Sequence, residues 1–348
     1  MTINKIFKYG AEKNASDIHF SHNLPILLRI NGKLKKVKKW PKLTHKKILS
    51  LIQEIITEEQ KDKLLNEKIL ELSYEIENGI RFRIIIYFEK KHLSLSARLI
   101  PSKIPSMKEI NMPEKAYDLS NLKNGLILVT GPTGCGKSTT LASIIENINK
   151  SRPCHIVTLE DPIEFTFKPK KSLVSQRELG RDMKSFKSGL KHVVRQDPDV
   201  ILVSEMRDLE TISLAITLAE TGHLILGTLH TPSAAQSIDR IIDVFPHKKQ
   251  TQIRFQLALS LQAIISQHLI PKKDSQERIA TREILINTPA ISNLIRENKT
   301  NQIRSIIQTG SRMGMRTLEQ DLKDLYQKGK ISKATAKSYS NYSEEFFK

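Results

Sequence analysis

Gly131, Gly136, Lys137 and Ser138 stand at the spacing G-x4-G-K-S, with Pro132, Thr133, Gly134 and Cys135 between the glycines and Thr139 after the serine. In such a loop the backbone N–H groups turn inward around phosphates and the following helix adds its positive end. The lysine reaches the β and γ phosphates, and the serine hydroxyl holds Mg2+. The chemistry needs a strand in front and a helix behind. The apolar run from Gly125 to Thr130 reads as a buried strand and Ser138 to Asn149 as a helix, so the pattern implies a nucleoside triphosphate site for residues 131 to 139.

Further candidates lie downstream. Val200 to Ser204 is an apolar strand that delivers Glu205 at its C-terminal end, where open α/β sheets present ligand-facing groups. A carboxylate there can hold the water shell of Mg2+ or polarise an attacking water. Another apolar strand, His155 to Glu160, leads into Asp161, Pro162 and Glu164. One acid of this cluster can serve as the base for water attack, and spacing alone leaves Glu160, Asp161 and Glu164 open. His223 and His230 bracket a short apolar strand; seven residues apart, they are not spaced for a metal on one helix. A histidine beside a γ-phosphate can sense the nucleotide by hydrogen bonding.

Elements that would position these residues follow a strand-then-helix order from Gly125 onward. Their strands are rich in Ile, Leu and Val on both alternations, as in a mostly parallel sheet covered on both faces, so this part of the chain is α/β. Between Lys248 and Ile270 the spacing of Ile253, Leu257, Leu261 and Ile264 predicts one long helix closed by Pro271. From about residue 285 the tail reads as helical, with Thr317 and Gln320 in capping-box spacing. The first hundred residues alternate short strands with helices: Ile26 to Asn31 is strand-like, Thr44 caps a helix running to Ile56, and Arg81 to Phe88 and Leu93 to Leu99 are β-rich. Pro101, Pro105 and Pro113 punctuate a linker. The expected division is residues 1–100, a linker at 101–113, and 114–348.

Composition excludes several classes. With 348 residues, 39% hydrophobic and 27% charged, the chain is neither collagen-like nor largely disordered. Cys135 and Cys154 make no disulfide or zinc framework and suit a reducing compartment. The longest apolar runs, such as Ile84 to Phe88, stop at strand length, and the N-terminus lacks an apolar signal core, so a soluble cytosolic protein is expected. The net charge of +19 divides into +10 for Met1 to Ile110, +1 for Asn111 to His230 and +8 for the remainder. The nucleotide-binding third is neutral. Lys33, Lys35, Lys36, Lys38, Lys39, Lys42, Lys46 and Lys47 crowd one stretch, and such a field favours nucleic acid, anionic lipid or an acidic protein.

The phosphate loop, the acidic stretch Val157 to Phe165, the segment from Arg195 through Glu205 to Asp208, Thr221 to Thr231 and Ser237 to Pro246 resemble, in order and spacing, the hexameric secretion and pilus motor ATPases. Ala15 to His19, Pro25, Arg29 to Gly32, and Ala290 with Ile291 and Asn293 to Glu297 narrow the resemblance to the type IV pilus retraction branch, the twitching-motility PilT type. It spans about Ala15 to Leu322.

The resemblance implies a PAS-like N-terminal α/β domain, a RecA-like P-loop ATPase domain with a helical C-terminal tail, ATP and Mg2+ as ligands, and a homo-hexamer. It also implies an inner-membrane pilus platform protein and a sister motor ATPase as partners, peripheral contact with the cytoplasmic side of the inner membrane, and no sequence-specific nucleic acid. By residue, it implies Lys137 as the phosphate-loop lysine, Glu164 as the catalytic glutamate, Glu205 as the acid ending the Walker B strand, and His223 with His230 as paired histidines near the nucleotide. Arg81, Arg83 and Arg98 match the arginines that complete the site. Three positions depart from the pattern: Ser204, Pro232 and Ser292. Thr231 as N-cap with Pro232 at the first helical position makes the second change favourable. The rival readings are a related extension or protein-secretion motor and a nucleic-acid-binding translocase. Aromatic residues, only 5% of the chain, are too sparse for a base-stacking groove.

Overall fold

A computed structural model describes residues 1–30, 32–100, 103–273, 277–340 and 342. Asn31, expected to end the first predicted strand, and Pro101, the first proline of the expected linker, lie outside these residues. The described chain forms two compact units, one of Met1–Lys103 with Pro162–Thr166, the other of Ile104–Asp161 with Phe167–Lys348.

In the first unit the strands are β1 (Asp17–Phe20), β2 (Leu27–Ile30), β3 (Lys33–Lys36), β4 (Ile69–Ile76), β5 (Ile80–Glu89) and β6 (His92–Ile100). They form an antiparallel sheet in the order β3-β2-β1-β6-β5-β4. Helices α1 (Ile3–Glu12), α2 (His45–Ile52) and α3 (Glu58–Glu67) accompany it. Helix α1 buries Ile3, Ile6 and Phe7, and the Phe7 ring packs on Phe82 of β5 at 4.5 Å between centroids. Thr44 caps α2 by accepting from the Lys47 amide, although the helix stops at Ile52, short of the predicted Ile56.

The second unit holds β7 (Gly125–Thr130), β8 (His155–Glu160), β9 (Leu173–Glu178), β10 (Val200–Val203), β11 (Leu224–Leu229), β12 (Leu261–Pro271) and β13 (Arg278–Ile286). Their order is β13-β12-β7-β11-β10-β8-β9, parallel throughout except for the β12–β13 pair. Every residue of β7, β10 and β11 is buried, as strands covered on both faces require. Helices α4 (Lys137–Ser151), α5 (Phe186–Val193), α6 (Leu209–Glu220), α7 (Ala234–Asp243) and α8 (His247–Ser260) alternate with the strands or follow them. The tail after β13 is helical: α9 (Pro289–Arg296), α10 (Ile303–Thr309), α11 (Leu318–Gln327) and α12 (Lys333–Tyr339). The Thr317–Gln320 capping box at α11 is formed.

Two local expectations are corrected. The predicted helix from Lys248 to Ile270 ends at Ser260, and Leu261 begins a strand. Ile264, Ile265 and Ile270 are β-branched, and Ile264 and Ile265 are consecutive and wholly buried; such a run suits a central strand between β7 and β13 better than a helix face. Nor is Thr231 a helix cap. Helix α7 starts at Ala234, capped by the Ser233 hydroxyl accepting from the Gln236 amide, while Thr231 Oγ1 pairs with Ser237 Oγ at 2.6 Å.

Proline punctuation between Ile104 and Pro113 accompanies anchoring rather than free chain. Met107 and Met112 are buried, the Ser143 hydroxyl donates to the Pro105 carbonyl at 2.7 Å, and the buried Arg282 guanidinium donates to the carbonyls of Ile110 and Asn111 at 2.9 and 3.1 Å.

Candidate nucleotide site at the C-terminal edge of the parallel sheet

Parallel pairing sets the site. Thr130 of β7 is in register with Leu229 of β11, and Val203 of β10 with Gly227 of β11. The residues that follow these strands therefore emerge along one edge, where α/β sheets place their ligands. Those residues are the phosphate loop, Glu205 and His230.

The loop from Gly131 to Gly136 is braced from below by Gln267 of β12. Its amide nitrogen donates to the Cys135 carbonyl at 2.7 Å, and its amide oxygen accepts from the Thr140 hydroxyl at 2.8 Å. Gly131 has φ +138°, and a Cβ there would fall on the Gln267 carbonyl oxygen. Gly136, the N-cap of α4, has φ +87°. Both positions demand glycine, and both glycines are fixed by the motif. Pro132, Thr133 and Gly134 are exposed, and Lys137, Ser138 and Thr139 are half-buried in the first turn of α4. Lys137 Nζ donates to the carbonyls of Gly131 and Pro132 at 2.9 and 3.2 Å, which holds its charge over the loop. Burial pushes the Cys135 thiol above its ordinary pKa, so it serves here as a small apolar residue.

Glu205 lies beside this loop. Arg207 grips both of its oxygens, Nε to Oε1 at 2.5 Å and Nη2 to Oε2 at 2.6 Å, and His230 Nε2 is 3.2 Å from Oε1. Partial burial favours its neutral form, but the hydrogen bond from Arg207 and the charges of Arg207, His230 and Lys137 outweigh that, holding the carboxyl below its ordinary range. The turn carrying it is pinned: the Met206 amide donates to the Thr228 carbonyl at 3.1 Å, and Thr228 Oγ1 donates to the Ser204 carbonyl. Ser204 thus joins the turn through its backbone.

His223 is not brought to this edge. It precedes Leu224, which is in register with Gly125 at the start of β7, so it lies about 23 Å along the strand direction from His230. Its Nδ1 is 3.1 Å from the Leu218 carbonyl. Within this chain, strand direction thus separates the two histidines that the resemblance pairs.

Among the acids left open, Glu160 is buried and accepts from Thr158 Oγ1 at 2.6 Å and Gln176 Nε2 at 3.0 Å. Asp161 is exposed and close enough to stabilise the Arg207 charge. Glu164, also exposed, belongs with Pro162–Thr166 to the first unit.

The arginines belong to that unit too. Arg83 of β5 faces Arg98 of β6 across the ladder, a like-charge pair balanced from the flanking strands by Glu71 of β4 at 3.1 Å and Asp17 of β1 at 2.9 Å. Arg81 is buried, 3.7 Å from Glu75.

Three residues that brace this edge were not singled out from the sequence. Arg207 stands two residues beyond Glu205, a charge pair at a strand end that sequence could have flagged. Gln267 gave no signal. Glu283 of β13, the third, is half-buried and accepts from the Ala234 amide at 2.8 Å, capping α7 just after the His230 loop; desolvation of its carboxyl raises its pKa.

Fold and site together define a P-loop ATPase, with a PAS-like domain first in sequence and a RecA-like domain second. The model of the type II/IV secretion system protein family matches residues 1–347, and the chain belongs to that family. It is 46% identical over 346 residues, 99% of this chain and 100% of the relative, to the type IV pilus retraction ATPase PilT of Pseudomonas aeruginosa. The type IV pilus ATPase PilU of the same organism is 34% identical, covering 98% of this chain and 89% of that one. A crystal structure of the pilus retraction motor PilT with bound ADP superposes with a TM-score of 0.93 at 43% identity, covering 99% of this chain and 98% of that one.

Proposed function

We propose that this chain is a Mg-ATP-hydrolysing motor that works as a homo-hexameric ring and drives type IV pilus retraction, and with it twitching motility and DNA uptake, at the cytoplasmic face of the inner membrane. The observation that carries this reading is the convergence of Lys137, Ser138, Glu205 and His230 at one sheet edge, in a chain similar along its whole length to a retraction ATPase.

Lys137 and the loop amides bind the phosphates. The Ser138 hydroxyl and, through water, the Glu205 carboxylate would hold Mg2+; ionised carboxylate and hydroxyl oxygens fit that hard cation. The metal, when bound, neutralises phosphate charge. Glu164 takes the proton of the attacking water, and His230 reports on the γ-phosphate from its place beside Glu205. Arg81, Arg83 and Arg98 offset charge on the transferring phosphoryl oxygens, some of them from a neighbouring subunit. If each site is completed by a neighbour, the contacts are head-to-tail and close into a ring. An inner-membrane platform protein and a sister motor are the expected partners, without sequence-specific nucleic acid.

Two measurements test this. Lys137→Ala should lower ATP hydrolysis at least a hundredfold with folding intact by circular dichroism; turnover at the parent rate removes the phosphate-loop assignment. Cells lacking the gene should carry excess, immobile pili. Absent pili would instead indicate an extension motor, and normal pili with lost protein export a secretion motor.

A further inference from the structure

Between Asp17 and Glu54 the sequence contains no acidic residue, yet it holds Arg29 and the eight lysines from Lys33 to Lys47. Arg29 is engaged, 3.8 Å from Asp17 and donating to the Gly32 carbonyl at 2.9 Å. Of the lysines, Lys47 donates to the Met1 carbonyl at 3.2 Å. All but the half-buried Lys47 are exposed, and among the described residues none has an acidic partner. They begin on β3, the outermost strand of its sheet, whose four residues are all exposed. Beside them Trp40 meets Tyr9 edge to face at 5.2 Å, with Lys39 Nζ over both rings at 5.6 and 5.2 Å and Lys13 Nζ over Tyr9 at 5.7 Å.

Lysines on an edge strand block edge-to-edge pairing. That accounts for β3 but not for Lys38 to Lys47, which continue the charge through a loop into α2.

Residue type narrows the partner. Arginine suits planar, bidentate recognition, whereas lysine is a hydrated point charge on a flexible stem and suits a diffuse anionic field. The two rings pack on each other instead of standing apart as successive platforms for bases. Tryptophan and lysine, each with an apolar body and a polar tip, fit the boundary between water and lipid headgroups. We propose that the face running from β3 through Trp40 to the start of α2 docks the protein on an anionic lipid surface. This deepens the motor reading by giving it a membrane-facing surface, and rests on it only for the presence of a membrane.

The test uses the full chain and vesicles of phosphatidylcholine with or without 30% phosphatidylglycerol. Sedimentation should show binding to the anionic vesicles alone, weakening as salt shortens the Debye length from about 10 Å at 0.1 M to 3 Å at 1 M. Trp40, the single tryptophan, should shift its emission to the blue on binding. At roughly fivefold per lysine, the triple variant Lys35→Gln, Lys36→Gln, Lys38→Gln should lose about a hundredfold in partitioning. A control of equal charge change, Lys191→Gln, Lys323→Gln, Lys333→Gln, should stay near the parent. Equal losses in the two variants, equal binding to neutral vesicles, or absence of binding would overturn the proposal. So would a patch variant that loses duplex DNA binding while keeping vesicle binding, which assigns the face to nucleic acid. Lys137→Ala should dock like the parent, so failure of the ATPase reading and failure of docking are read separately.

Discussion

His223 and His230 flank a single strand, β11, and the direction of that strand gives them different neighbours. His230 emerges beside the phosphate loop with its Nε2 3.2 Å from a Glu205 oxygen; His223 sits at the opposite edge against the Leu218 carbonyl at 3.1 Å. Residue type and local apolar context are the same for both. A parallel sheet gathers the C-terminal ends of its strands, so chemistry collects at one edge, and an identical side chain at the other edge serves packing and hydrogen bonding.

Glu205→Gln is the strongest way to break that contrast, since it keeps shape but removes the charge that Arg207 and His230 address. A fall in kcat of about 10² to 10³ is expected; an activity within threefold of the parent would take Glu205 out of the site. Because its carboxyl is held below 4.5, Glu205 stays ionised at neutral pH, and its ion pairs contribute stability above that value that is lost as pH falls through the lowered pKa.

His230→Ala should cost about tenfold in kcat, about 1.4 kcal/mol, through loss of its close electrostatic contact with the Glu205 carboxylate. His223→Ala should leave kcat within about twofold and lower stability by about 1 kcal/mol, read by thermal melting. Equal kinetic losses at the two histidines would refute the two-edge distinction.

Smallest is the effect of Glu283→Gln, which can still cap α7. A carboxyl with a raised pKa keeps its proton in the folded state where the unfolded chain has released it, so parent stability should decline as pH rises above about 4.5. Gln should flatten that slope in denaturant melts across pH 5 to 8; an unchanged slope assigns it to other groups.

The motif at residues 131 to 139 was legible because contiguous residues encode it: a strand, two positive-φ glycines and a helix start need no distant partner to be recognised. Glu205 and His230 were legible as residues ending apolar strands. The stretch from Leu261 to Ile270 was misread because Leu257, Leu261 and Ile264 fit a helical face in isolation; pairing with β7 and β13 overrides that period. At Pro232, local cap chemistry pointed to Thr231, but the helix begins after Ser233, and Thr231 is drawn instead into hydroxyl contact with Ser237.

By itself, then, the sequence located the phosphate-loop motif, offered Lys137 and Ser138 as its candidate ligands, and showed that positive charge avoids that third of the chain for its flanks, all properties of composition and short-range order. Tertiary structure decided which histidine lies beside the phosphate loop, that Arg207 clamps Glu205, and that Gln267, 131 residues beyond Gly136, supports the loop. Those contacts depend on strand order and register, which are settled by burying both faces of a sheet whose neighbouring strands lie far apart in the chain.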